Sequence, residues 1–181
     1  MVLQIPKLPV AGSKEFSAWL GVFYVTWSIA ENEMAQAIEA QLRLPHFETH
    51  LLTARMEFSR KAALLRALIS RSDHPNKAAI KGALNKIQNK SKRNVFAHSF
   101  LATNETEVIF VERTWEGEFK ARMHKFTMPE FITHVQNFIA AATALSTALA
   151  VTPADYRAFC DAAMSLASNS GKSPTPSKSK A

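Results

Sequence analysis

Arg93, Asn94 and His98 fall within one short run, Arg93-Asn94-Val95-Phe96-Ala97-His98. Arginine supplies a permanent planar cation with forked N–H donors. Asparagine supplies an amide that donates and accepts, and histidine an imidazole that titrates near neutrality. Such groups suffice to cleave a phosphodiester without a metal: the imidazole moves a proton while the guanidinium stabilises charge on the phosphoryl oxygens. The asparagine gives the spacing its weight. With nine Arg and six His in 181 residues, Arg-x(4)-His arises by chance in roughly a third of shuffled chains, and requiring the Asn lowers this to about one in a hundred. The competing reading is a helix C-terminus at which His98 satisfies the last carbonyls and Arg93 is a surface cation.

The charge around this run is uneven. Of the formal +7, the segment Arg55–Leu101 holds a net +9 and the tail from Ser168 a net +3, so the remainder is −5. Positive charge concentrated on the segment that carries the motif suits a polyanion, RNA above all, because displaced counterions drive binding. A solvated helix face with a solubilising tail is the plainer account of the same pattern.

The elements that must position these side chains are mainly helical. A first helix runs from Ser13, a plausible N-cap, to Leu42, with Leu20, Phe23, Tyr24, Trp27, Ala30, Met34, Ile38 and Leu42 on one stripe and Pro45 ending the segment. Glu31 falls on this stripe, whereas Glu33 and Glu39 lie off it. A second helix, about Glu48 to Arg71, presents Leu51, Phe58, Ala62, Leu65 and Ile69, with Arg55 among them. Two opposite charges on inward faces suggest a Glu31–Arg55 pair, since a lone buried charge is costly; snorkelling of either side chain to the edge is the alternative. A third helix begins near Pro75 and runs through the motif, with Ile80, Leu84, Ile87, Val95 and His98 on one face and Ser91 and Asn94 among them. Asn94 and His98, at i and i+4, lie one above the other, and the long Arg93 side chain can reach round to them.

Between Glu107 and Phe126 the period changes to two. Val108-Ile109-Phe110-Val111 favours a strand, Phe119, Ala121 and Met123 alternate with Lys120, Arg122 and His124, and Glu116-Gly117 marks a turn. Thr127-Met-Pro-Glu130 is a capping box that opens a fourth helix bearing Phe131, Val135, Phe138, Ala142, Leu145 and Leu149. Thr152-Pro-Ala-Asp155 opens a short fifth helix to about Ala167. The expected architecture is a mainly α, four-to-five-helix up-and-down bundle with a β-hairpin (about 106–126) between helices three and four. It spans residues 13–167, between an extension at 1–12 and a disordered basic tail at 168–181.

With the motif late on a bundle helix, the chain resembles the HEPN superfamily, whose ribonucleases carry Arg-x(4–6)-His in a four- or five-helix bundle. Their most specific form has a polar residue, often Asn, directly after the Arg. The resemblance covers most of 13–167 in architecture and six residues in motif. It implies a metal-independent endoribonuclease, a toxin or defence effector, acting as a homodimer that joins two motifs in one basic cleft, beside an antitoxin or other regulatory protein. Arg93, Asn94 and His98 would then be catalytic, Glu31 would fix Arg93 or pair with Arg55, and Lys86, Lys90 and Lys92 would contact RNA. A non-catalytic HEPN-like module binding RNA, nucleotide or a partner is the second reading. The hairpin and the basic tail depart from a minimal HEPN bundle.

Other chemistry finds little support. His46 and His50 have i, i+4 spacing without a third ligand nearby. Only five glycines occur and no Walker, dinucleotide, His-Glu-x-x-His or nucleophile-elbow motif appears, so no cofactor or metal is expected. His74 sits at a helix start, and His124 and His134 read as surface residues. The apolar runs Ala18–Ala30 and Phe138–Val151 are shorter than the ~20 residues of a spanning helix. With the lone Cys160 and no signal pattern at the start, they point to a cytoplasmic protein.

Overall fold

A computed structural model of the protein describes residues 13–103, 106–115 and 117–169; the expected extension at 1–12, the tail from 170 and Glu116 of the expected turn lie outside the described residues. The described chain is mainly helical with a small antiparallel sheet. Its elements are α1 (Ser13–Leu42), α2 (His46–Thr53), α3 (Phe58–Arg71), α4 (Lys77–Lys90), α5 (Arg93–His98), β1 (Phe100–Thr103), β2 (Glu107–Trp115), β3 (Phe119–Thr127), α6 (Met128–Leu149) and α7 (Pro153–Asn169). These elements form two compact units of discontinuous segments, one drawn from the described residues of 13–30 and 78–145, the other from 31–77 and 146–169.

The first unit is built on aromatic rings. Phe16, Phe23 and Trp27 of α1 meet Phe131 and Phe138 of α6 and Phe110 of β2, and Phe126 of β3 meets Phe131, all buried. Phe96 of α5 plugs into their centre, with ring centroids 5.1 Å from Phe23, 4.7 Å from Phe110 and 5.5 Å from Phe131. Such packing is worth roughly 1.5–3 kcal/mol per buried ring. Ile80, Leu84 and Ile87 of α4 and Val95 of α5 are also buried. The sheet has the order β1-β2-β3, with Phe110 paired to Leu101 on one side and His124 on the other. It therefore gains a strand, β1, over the expected hairpin.

The second unit buries Met34 and Ile38 of α1, Phe58, Ala62, Leu65 and Ile69 of α3, and Phe159 of α7. The single second helix expected from Glu48 to Arg71 is two helices. Thr49 and Thr53 return their hydroxyls to the carbonyls of Pro45 and Thr49, competing with continuation of the helix. His50 lies against Phe159, ring centroids 4.2 Å apart, holding α2 to α7. Arg55 consequently sits in the exposed turn between α2 and α3, and Leu51 is 66% exposed; neither is on an inward face. Among the described residues no ion pair joins Glu31 to Arg55. Glu33, expected off the stripe, is buried and accepts a hydrogen bond from the Ser146 hydroxyl at 2.8 Å. Burial raises its carboxyl pKa, and the Ser146 hydrogen bond acts against that.

Both capping boxes form. Glu130 accepts from the Thr127 amide at 2.8 Å, and Asp155 accepts from the Thr152 hydroxyl at 2.7 Å. These bonds hold both carboxyls below their usual pKa range, the Thr127 amide being the main cause for Glu130 and the Thr152 hydroxyl for Asp155. Among the described residues no single helix is long and apolar enough to cross a membrane.

Candidate functional site

The motif does not end a long helix; it is a helix of its own. After Lys90 the chain turns through Ser91 and Lys92, whose φ of 53° is left-handed, and Arg93 begins α5. A lysine in that conformation costs about 1–2 kcal/mol, so the turn persists only because its surroundings over-determine it. One determinant is His134 of α6, whose Nε2–H donates to the Ser91 carbonyl at 2.9 Å and caps a group left unpaired by the break. The His134 ring also packs edge-on against Phe96, with centroids 5.3 Å apart. Burial lowers its pKa, the Ser91 bond acts in the opposite sense, and nearby Lys92 adds to the lowering. The sequence reads His134 as a surface residue; it is half-buried and sets where α5 starts. No spacing signal marks it, because its partner is 43 residues away.

From that start α5 carries Val95 and Phe96 inward and leaves Asn94 and His98 exposed. The single face expected to run from Ile80 through Val95 to His98 is interrupted by the break between α4 and α5, with Val95 buried and His98 exposed. Arg93 is half-buried with its guanidinium carbon 5.8 Å from the centre of the Trp27 ring, a cation–π contact. Its Nη1–H groups reach Asn94 Oδ1 at 3.4 Å and His98 Nε2 at 3.2 Å. Arginine only donates, so Nε2 of His98 accepts and carries no proton in this arrangement. The buried Nε of Arg93 has no hydrogen-bond partner, and among the described residues no carboxylate pairs with this guanidinium. Tyr24, a turn before Trp27 on α1, completes the cluster. Partial burial raises its phenol pKa, with the Arg93 cation acting in the opposite sense. Tyr24 and Trp27 read in sequence as members of the apolar stripe; periodicity locates the stripe and does not say which of its residues border a cation.

The other candidates are dispersed. Lys86 and Lys90 are exposed on α4. Lys92 is exposed with its ammonium 5.0 Å from the Phe126 ring centre. It therefore stands near an open cleft of about 500 Å³ lined by Lys125, Phe126, Pro129, Glu130, Thr133, His134 and Asn137. Glu31 and Arg55 belong to the second unit, Glu31 half-buried and Arg55 exposed. His46 faces Glu39 at 2.9 Å and His50 Nε2 meets the Phe159 carbonyl at 3.3 Å, so the two rings are separately engaged. Among the described residues no group of three or more His, Cys, Asp and Glu is placed to hold a metal ion. No family model, curated protein or solved structure matches the chain.

Proposed function

We propose that the protein is a HEPN-type endoribonuclease that cleaves RNA by 2′-hydroxyl attack, its helices forming an up-and-down bundle that pairs as a homodimer. What supports the reading is one contact: Arg93 Nη1 and His98 Nε2 meet at 3.2 Å on an open surface, with no carboxylate neutralising the guanidinium among the described residues. An arginine held by a ring face and unpaired with an acid keeps its charge-assisted donors for an incoming phosphate. The basic segment that contains it supplies the sequence-independent attraction for a polyanion.

In the proposed reaction a phosphate draws the Arg93 donors to its oxygens, which frees the lone pair on His98 Nε2. That nitrogen takes the 2′-hydroxyl proton, O2′ attacks phosphorus, and the P–O5′ bond breaks. His98 of the second copy gives a proton to the leaving O5′. Arg93 stabilises the charge growing on the phosphoryl oxygens, and Asn94 holds Arg93 in place through its Oδ1. The products are a 2′,3′-cyclic phosphate and a 5′-hydroxyl. In the cell such an activity fits a toxin or defence effector restrained by a separate antitoxin.

The test is incubation of pure protein with total RNA in EDTA, wild type against His98→Ala, with end-group analysis. Cleavage that persists in the variant removes His98 from its role. A second reading, a non-catalytic RNA- or nucleotide-binding module, draws on the same contact: a lone pair already occupied by Arg93 is not free to act as a base. Tight RNA binding without cleavage by wild type selects that reading.

A further inference from the structure

We infer that the outer face of the β2–β3 ribbon is a stacking platform for unpaired RNA bases. It rests on the proposed function only for the choice of polyanion. β1 pairs with β2 as far as Val111, and beyond that rung β2 and β3 continue alone, with Arg113 opposite Ala121 and Trp115 opposite Phe119. Strand alternation puts Val108 and Phe110 on the covered face. Residues 111, 113 and 115 and their partners 123, 121 and 119 therefore share the other face. There Trp115 is 75% exposed, Phe119 63% and Met123 64%. A two-stranded ribbon is marginal by itself, and one presenting three large apolar side chains to water is costly unless something covers them.

The charges on that face choose the occupant. Arg113 and Lys125 lie on it, both exposed, Arg113 on the rung beside the Trp115–Phe119 pair and Lys125 at the far end of the face, opposite Ile109. From position 109 outward the paired residues of this face include no carboxylate. Glu112 is on the opposite face, where His124 engages it at 3.1 Å, and Glu118 is in the turn. Two rings directly opposite one another, with one cation beside them and a second farther along the same face, match bases that stack and phosphates that continue past them. A second copy docked through the same face as an isologous pair would gather four cations into a patch whose paired residues from position 109 outward include no carboxylate.

The experiment uses the full chain carrying His98→Ala, so that RNA is held and not cut, with a fluorescein-labelled oligoadenylate and its annealed duplex as probes. Anisotropy titrations at low and moderate salt compare this protein with three further forms: Trp115→Ala/Phe119→Ala, Trp115→Leu/Phe119→Leu and Trp115→Tyr/Phe119→Tyr. The Ala and Leu pairs should weaken single-strand binding by about ten-fold or more, the Tyr pair should retain it, and duplex binding should change little. Equal binding by the Leu pair and the parent protein overturns the inference, because the face then acts only through apolar area. Unchanged RNA binding with conversion of a dimer to a monomer also overturns it, making the face a subunit contact. Failure of the cleavage assay leaves this result unaffected, so the two readings fail separately.

Discussion

Removing the His134 ring should loosen the turn from which the motif helix starts. In His134→Ala the Ser91 carbonyl loses its donor at 2.9 Å. An orphaned buried acceptor costs about 1–3 kcal/mol, and the adjoining open cleft admits water, which places this one near the lower end. Loss of the edge-on contact with Phe96 adds about 1 kcal/mol, for a total of roughly 2 kcal/mol. His134→Gln keeps a donor and should cost only about half as much. Urea unfolding at pH 7.5 followed by far-ultraviolet circular dichroism measures both. Burial holds the folded-state pKa of His134 below its ordinary 6.5, so as pH falls beneath 6.5 the unfolded chain takes up a proton that the folded chain does not. The wild type should therefore lose stability over that window more steeply than His134→Gln. A His134→Ala cost under about 0.5 kcal/mol, or equal costs for Ala and Gln, would refute the assignment of the hydrogen bond.

Further outcomes follow from the same geometry. Arg93→Lys keeps the charge but loses the fork that spans Asn94 and His98; RNA cleavage in EDTA should fall by about a hundred-fold while circular dichroism is unchanged. Phe96→Ala opens a hole at the centre of the aromatic core and should cost about 3–5 kcal/mol in chemical unfolding, whereas Phe96→Leu should cost about half that. Glu33→Gln keeps an acceptor for Ser146 and removes a buried charge. Because the Glu33 pKa is raised, its charge penalty is absent below the ordinary 4.5 and appears as pH rises past the folded value. The variant should be more stable by roughly 1 kcal/mol at pH 7, with the gain vanishing near pH 4 in parallel melts.

Legibility differed from element to element for identifiable reasons. Ser13–Leu42 could be read as one helix because its apolar spacing persists over many turns and Pro45 closes it. The two capping boxes could be read because each is a contact between residues three apart. The breaks at Ala54–Glu57 and Ser91–Lys92 could not, since neither holds a glycine or proline; the first follows threonines whose hydroxyls return to the backbone, and the second is fixed by a distant partner, His134. The alternation of Phe119, Ala121 and Met123 told which residues share a face. It could not tell that this face stays open, because that depends on which distant elements pack over it.

Taken alone, the order of residues determined what is local: a mainly helical chain, the strand-forming segment, the caps, a basic stretch, and a motif whose members are close because they are neighbours in sequence. The tertiary structure decided the rest. Phe96 anchors α5 in a ring core drawn from both ends of the first unit, and His134 captures the carbonyl that a left-handed Lys92 sets free. Trp27 lies beneath Arg93 so that its charge faces a ring and not an acid. Each of these joins segments far apart in the chain, and the local propensities that shape a helix or a turn carry no information about which distant group will arrive to complete it.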